Sequence, residues 1–217
     1  MENYLNIYAD PNTRFVAFKE LIVFGFEVLK PSFLIQEIKG LKEEKKAMDQ
    51  NLQLGLNSRL QRFIFEYLVD TVRIMIFYEN YMKAELIKAD FCVHKIDRNN
   101  PAFKSLANQQ TKRPVLLKEI SAIIPFEVIH LNGENTITHP AILPSTIDLN
   151  VLLMKEKYSK WFRLDKDLIN WLKKIRDERN KIHLINFFEF SLSDELILYL
   201  EKTIAFAAKL VQEIVPN

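Results

Sequence analysis

Glycine and cysteine are scarce in this 217-residue chain, and their scarcity excludes several classes of protein. The four glycines, at positions 25, 40, 55 and 133, never take the spacing of a phosphate-binding loop, which excludes P-loop and Rossmann nucleotide sites. The single cysteine, Cys92, excludes an intramolecular disulfide and any CxxC zinc or redox motif. This cysteine usage is typical of a reducing compartment, which predicts a cytoplasmic protein. Because the nucleotide-binding and zinc motifs are missing, neither a cofactor nor a metal is predicted.

Long apolar runs and a large net charge are also missing. The run from Leu21 to Phe26 is ended by Glu27, far short of the roughly 20 apolar residues of a membrane span. The N-terminus has no basic leader followed by an apolar stretch, so neither a signal peptide nor a membrane partner is expected. Thirty basic and 28 acidic residues with 48% hydrophobic residues are typical of a globular protein with a core.

Apolar periodicity predicts an all-α fold, a bundle of about five to seven helices in one domain spanning residues 1–217. The N-terminal 50 residues are expected to form a helical extension of that domain. A helix over 58–89, without glycine or proline, is expected to be its buried centre. Further helices are predicted over 14–29, 32–49, 116–123, 145–161, from Asp165 onward, and from Ser193 onward.

Residues 98–144 are predicted to be an irregular, proline-rich insertion. Five of the eight prolines lie between positions 101 and 144, together with two asparagine-rich turns. A lid, a partner contact, or packing without regular structure would each account for its second half, residues 125–143.

The segment 175–184 carries the residues that favour chemistry. On a helix, Arg176, Arg179 and His183 project along one stripe, because they are separated by about one and two turns. An imidazole near neutral pH can transfer a proton to or from an RNA 2′-hydroxyl or the departing 5′-oxygen. A guanidinium can hold the phosphate at two points while its charge increases. This combination favours phosphodiester cleavage without a metal.

These residues resemble a known family. Arg176, six residues and then His183, with polar Asn180 after the second arginine, is similar to the Arg, four to six residues, His motif of HEPN-domain proteins. Residues 78–95 resemble the helix of that family in which an acidic residue is followed by three residues and then Lys-Ala, together with the aromatic turn after it. The matching regions are 58–95 and 145–214.

The resemblance implies a HEPN-like helical bundle that acts as a homodimer and cleaves RNA without metal by attack of the 2′-hydroxyl. It implies a role in toxin–antitoxin systems or phage defence, with a nucleotidyltransferase-like antitoxin as a possible partner. His183 is then the general acid and base, Arg176, Arg179 or both hold the phosphate, and Asn180 orients groups. Arg179 precedes a polar residue but is separated from His183 by only three residues, whereas Arg176 has the six-residue gap but precedes Asp177, so both arginines stay candidates.

Charge is unevenly distributed and adds RNA-binding candidates. Residues 155–181 contain ten basic and five acidic residues, the excess expected of a phosphate-binding surface. The RNA-binding candidates are Lys173, Lys174 and Lys181. Glu79 and Lys83, spaced i,i+4, are expected to support the site as an ion pair.

Other functions are also open. A catalytically inactive HEPN-like module that binds RNA or protein would keep the basic surface without turnover, and a helical interaction protein would bind no RNA. A thiol enzyme at Cys92 and His94 is rejected because no third orienting group is present. His130 and His139 have no ligand partners at zinc spacing. Trp161 and Trp171 are expected in the core or an interface rather than as base-stacking platforms.

Overall fold

The computed structural model describes residues 11–50, 58–131, 134–182 and 192–214. In these ranges the chain is mostly helical, as expected, with ten helices and four short strands. The chain divides into two compact units that alternate along the sequence. Unit 1 combines Met1–Leu21 with Tyr81–Leu164, and unit 2 combines Ile22–Asn80 with Asp165–Asn217. The assignment of the chain to one domain stays a prediction.

The long helices follow the apolar periodicity of the sequence. The first begins at Pro11 rather than near Arg14, because proline is well tolerated at a first helical position. The helices are α1 Pro11–Leu29, α2 Phe33–Gln36, α3 Ile38–Asp49, α4 Ser58–Lys88, α5 Lys104–Gln110, α6 Leu117–Ser121, α7 Leu149–Met154, α8 Glu156–Ser159, α9 Lys166–Ile182 and α10 Asp194–Ile214.

The expected count of five to seven helices was too low. Helices α2, α6 and α8 have only four or five residues, too few for a helical period to show in a sequence. The helix expected over 32–49 is divided at Glu37 into α2 and α3. The helix expected over 145–161 begins only at Leu149, because residues 142–146 form a strand. It is also divided at Lys155, whose extended backbone separates α7 from α8.

Strands were not predicted, and they lie mostly in the segment expected to be irregular. They are β1 His94–Ile96, β2 Glu127–Leu131, β3 Glu134–Thr138 and β4 Ile142–Thr146. Each sheet is an antiparallel pair, β1 with β4 and β2 with β3. Segment 98–144 thus contains α5, α6, β2, β3 and the start of β4, which corrects the expectation. Four of its prolines lie between elements, where they interrupt no backbone ladder, and Pro144 lies within β4 beside a register shift.

In unit 1, the end of α4 sets the course of the chain into β1. Asp90 has a left-handed φ of 66°, and the amide of Phe91 donates to the carbonyl of Leu86 at 2.9 Å, the pattern of a Schellman cap. Arg14 holds the Asp90 carboxylate at 2.7 Å. The core that follows contains Cys92, Ile96, Phe103, Leu106, Ala107, Val115, Ile120, Ala141 and Ile142.

In unit 2, buried polar groups join the first half of α4 to its neighbours. Asp70, fully buried, accepts the amide of Leu34 at 2.9 Å and the guanidinium of Arg73 at 2.6 Å. Tyr78 shares a 2.9 Å hydrogen bond with Thr203 on α10. These bonds fix α4 against the start of α2 and against α10, so burial of polar atoms costs little here.

Candidate functional site

Helix α9 carries most of the predicted site residues. An N-terminal cap and a buried face fix its position in unit 2. Asp165 caps it, as the sequence predicts, by accepting the amide of Leu168 at 2.7 Å. The buried indole of Trp171 stacks on Tyr199 of α10 with ring centroids 5.1 Å apart. Leu168, Trp171, Leu172 and Ile175 form the buried face, which leaves the other faces of α9 for charged side chains.

Arg176 lies at the border of this buried face. Its side chain is 14% exposed, whereas that of Asp177 is 58% exposed. The guanidinium donates to Asp177 Oδ1 from Nε at 3.0 Å and from Nη2 at 2.6 Å. Asp177 therefore contacts a cation, as the sequence allowed, and it both orients Arg176 and offsets part of its charge.

The lysine candidates differ in their surroundings. Lys173 is half-buried on α9. Lys174 is exposed and donates to Glu195 at the start of α10, so it is already engaged with a carboxylate. For Lys181 the structure shows only that its backbone is helical.

The structure describes the other catalytic candidates only in part. Arg179 and Asn180 belong to the helical backbone of α9, which continues to Ile182. Their side chains and all of His183 lie outside the part of the chain that the structure describes. The stripe proposed from the sequence thus has a continuous helix beneath it from 173 to 182.

The supporting pair Glu79 and Lys83 lies on α4, where both residues are half-buried. The ammonium of Lys83 donates to Thr146 Oγ1 at 2.8 Å, and Thr146 is the register partner of His94 across β1 and β4. Lys83 therefore connects α4 to the sheet of unit 1, a role that the sequence did not indicate.

Gln110 is a buried residue that the sequence analysis missed. Its side-chain oxygen accepts the amide of Ile96 at 2.9 Å, and its side-chain nitrogen donates to the carbonyl of His94 at 2.7 Å. The hydroxyl of Tyr158 donates to the Gln110 carbonyl at 2.6 Å, and burial raises the pKa of Tyr158. A glutamine in a proline-rich segment carries no sequence signal for such a role.

Cys92 and His139 are both structural. Burial raises the pKa of Cys92 to about 12, and its thiol donates to the carbonyl of His94 at 3.3 Å, which agrees with the rejection of a thiol enzyme. His139 Nδ1 accepts the amide of Ala141 at 3.2 Å while Nε2 bonds the carbonyl of Ile124 at 3.0 Å. The ring is therefore a neutral core histidine with its proton on Nε2. Among the described residues no cluster of metal ligands is present.

Unit 1 also has an open cleft of about 460 Å³ beside β1 and α5. Lys95 and Asp148 line it and form a 2.9 Å ion pair, and Asp97, Arg98 and Gln110 line it further. The cleft is lined by charges of both signs, and the side chain of Gln110 is already hydrogen-bonded to the backbone of β1. The lining therefore favours no single class of ligand. In the described part of the chain, no helix combines the length and apolar composition needed to cross a membrane.

His94 and His139 predict a decline of stability in mild acid. Burial lowers the pKa of His94 first of all, with Lys83 adding to it and the carbonyls of Pro144 and Leu143 opposing it. Burial also lowers the pKa of His139. The unfolded chain then binds more protons, so the free energy of unfolding is highest above about pH 6.5 and falls as the pH falls below it.

Urea unfolding at several pH values between 7.5 and 5.5 measures this effect. The variant His94→Gln, which removes one titrating ring, is expected to flatten the dependence. Glu119, whose pKa is lowered mainly by its hydrogen bond with Arg113, loses its contribution only at more acidic pH. A free energy of unfolding that increases as the pH is lowered from 6.5 to 5.5 would contradict the lowered pKa values of the two histidines.

Comparison of the chain with protein-family models, curated proteins and solved structures gave no match. The resemblance to HEPN domains therefore rests on the residues themselves.

Proposed function

We propose that this protein binds RNA through α9 and cleaves it without a metal, as a HEPN-like endoribonuclease. His183 serves as the general acid and base, and Arg176 serves as the phosphate-holding arginine, with Arg179 as the other candidate. Asn180 orients groups at the scissile phosphate. The resulting products carry a 2′,3′-cyclic phosphate and a 5′-hydroxyl.

The observation that carries the proposal is the continuity of α9 from Lys166 to Ile182. At 100° per residue, positions 173, 176 and 180 of this helix lie within one polar sector. The sequence period predicts His183 on the same stripe as Arg176. The buried Leu172 and Ile175 border that sector. In the proposed mechanism, Lys173 and Arg176 hold the RNA backbone on this sector, and His183 acts on the same phosphodiester.

The charge around the site supports a polyanionic substrate. Lys173, Arg176 and Lys181 share α9 with only two acidic neighbours after position 170, Asp177 and Glu178. A local excess of positive charge attracts phosphate groups even though the net charge of the whole chain is only +2. Arginine held by a neighbouring carboxylate is also preoriented, which reduces the entropy lost when it binds phosphate.

The ion pairs that Arg176 and Lys174 form on α9 also favour a second candidate function, an RNA-binding module that does not cleave RNA. Asp177 takes two donors of Arg176, and Glu195 takes Lys174. An arginine that keeps these bonds when RNA binds would contact the phosphate weakly and stabilise little charge in the transition state. Salt-sensitive binding without cleavage would then be observed.

An assay with chelator separates these candidates. The purified full-length protein is incubated with a mixed-sequence RNA in excess EDTA, and the ends of the fragments are analysed. Metal-independent cleavage with 2′,3′-cyclic phosphate ends is expected, because 2′-hydroxyl attack needs only proton transfer and charge stabilisation. The matched RNA with 2′-O-methyl groups must stay intact. Cleavage that EDTA abolishes, or binding without any cleavage, would contradict the proposal.

The proposed assembly with partners is tested separately. A homodimer would bring two α9 helices to one site, and a nucleotidyltransferase-like antitoxin would restrain the activity. Solution mass by light scattering distinguishes a dimer from a monomer, since the two masses differ by a factor of two.

A further inference from the structure

We infer that Trp161 and the lysines around it form a second contact surface for RNA, one that stacks on unpaired bases. The inference rests on the proposed function, because it takes RNA as the ligand. The surface, called here the Trp161 surface, consists of Trp161 with Lys88, Lys157 and Lys160, and all four residues belong to unit 1.

The exposure of Trp161 shows that the core alternative of the sequence-based expectation is wrong for this residue, whereas its place in an interface stays a prediction. This residue is 41% exposed, whereas Trp171 is only 3% exposed. The indole contacts Phe91 edge to face, with centroids 4.7 Å apart, and Phe91 is buried. The packing of Phe91 thus holds a large aromatic side chain in place while part of it stays open to solvent. Because the indole is already held, it loses less conformational entropy when it stacks on a base.

The backbone around Trp161 is fixed to the end of α4. The amide of Arg163 donates to the hydroxyl of Tyr81 at 2.9 Å, and its guanidinium pairs with Glu85 at 3.1 Å. Tyr81, Glu85 and Lys88 are spaced i, i+4 and i+7, so they share one face of α4. This attachment places the segment that carries Trp161 against the face of α4 that also bears Lys88.

Exposed lysines lie on the two segments that carry and support the indole. Lys157 and Lys160 are exposed and form no ion pair with any described residue. Lys88 is exposed and lies over the ring of Phe18, 4.7 Å from its centroid. The ring of Phe18 leaves the lysine charge in place, so it can still meet a phosphate.

An exposed aromatic ring among lysines fits single-stranded RNA better than duplex RNA. Every unpaired base offers a π-face to an aromatic side chain, and the adjoining phosphates meet the lysines. In a duplex the bases are already stacked on each other, so the indole has no base face to cover. An acidic protein would use the lysines but would gain little from the indole.

Binding of a fluorescein-labelled 2′-O-methyl oligouridine to the full-length protein tests the surface without cleavage. We expect Trp161→Ala to weaken binding about tenfold, and Trp161→Phe to restore most of the affinity. Met154→Ala, which truncates another exposed apolar residue of unit 1, is the matched control and should change the affinity by less than about twofold.

The tryptophan fluorescence gives an independent readout. RNA is expected to quench the emission of the wild type but not of Trp161→Phe, whose remaining Trp171 is buried. The triple alanine variant of Lys88, Lys157 and Lys160 should lower the slope of log affinity against log salt by about 2. The same change at three other exposed lysines of the unit, Lys104, Lys112 and Lys118, should leave the quenching in place.

Three results would overturn the inference. Unchanged affinity in Trp161→Ala would show that the indole does not stack, and equal binding of a duplex would show that unpaired bases are not needed. Competition by polyglutamate as strong as that by RNA would assign the surface to an acidic protein. Trp161-dependent binding by a wild type that does not cleave RNA would instead contradict the nuclease proposal alone.

Discussion

His183→Ala is expected to lower the rate of RNA cleavage by about 100-fold or more, because general acid–base catalysis contributes that much. The polar sector of α9 that holds Lys173, Arg176 and Asn180 offers no substitute for the imidazole, since its side chains are lysine, arginine and asparagine. None of these exchanges a proton readily at pH 7. Single-turnover cleavage of a labelled RNA in EDTA measures the rate constant directly.

Binding must be measured beside cleavage, because the proposed mechanism assigns the histidine to the chemical step and not to binding. The affinity of His183→Ala for a 2′-O-methyl RNA should stay within about threefold of the wild type, since the lysines and arginines supply most of the binding. Asn170→Ala, an exposed change on the same helix, should leave both quantities unchanged. Cleavage that persists in His183→Ala would remove the histidine from the mechanism.

A comparison of arginine variants then identifies the phosphate-holding residue. If Arg176 acts on the transition state, Arg176→Lys should lower the cleavage rate more than Arg179→Lys, because lysine does not reproduce two-point contact. The opposite order would assign the role to Arg179.

Asp70→Ala is expected to destabilise the protein by about 3 kcal/mol, which would make it the most severe stability change among the described polar residues. The carboxylate is fully buried and holds the amide of Leu34 and the guanidinium of Arg73. Alanine leaves a buried amide and a largely buried cation without their acceptor. Urea unfolding monitored by circular dichroism gives the free energy.

Asp70→Asn and Glu201→Ala are the controls for that measurement. Asparagine keeps an oxygen for the Leu34 amide but loses the charge that Arg73 needs, so an intermediate loss is expected. Glu201 forms an exposed ion pair with Lys42, and its removal should change the free energy by less than about 1 kcal/mol. Equal effects of Asp70→Ala and Glu201→Ala would show that the buried acceptor contributes no more than a surface pair.

The sequence predicted the parts of the fold that depend on long local patterns. Helix α4 begins at Ser58 and ends at Lys88, within one residue of the expected range, because 31 residues give a period many turns in which to appear. The cap at Asp165 and the start of the last helix near Ser193 were also predicted, and in the structure Ser193 accepts the amide of Leu196 at 3.1 Å. Short polar side chains before an apolar period are a local signal.

The strands and the short helices depend on distant residues, so local patterns did not reveal them. Strand β1 has three residues, and its pairing with β4 joins positions about 50 residues apart. Whether a tryptophan is open or covered is also decided by distant residues, since Trp171 stacks on Tyr199 of α10 and is buried, whereas Trp161 contacts Phe91 and stays 41% exposed. The predicted catalytic stripe is a local pattern, and its helical backbone is observed as far as Ile182.

The side chain of Gln110 protects an edge of the small sheet in unit 1. A strand whose amides and carbonyls face outward can recruit an extended segment of another molecule. The carboxamide of Gln110 presents one acceptor and one donor to Ile96 and His94, as the peptide group of an added strand would. One side chain thus occupies the positions that a foreign strand would need, and it closes this edge of β1 to self-association.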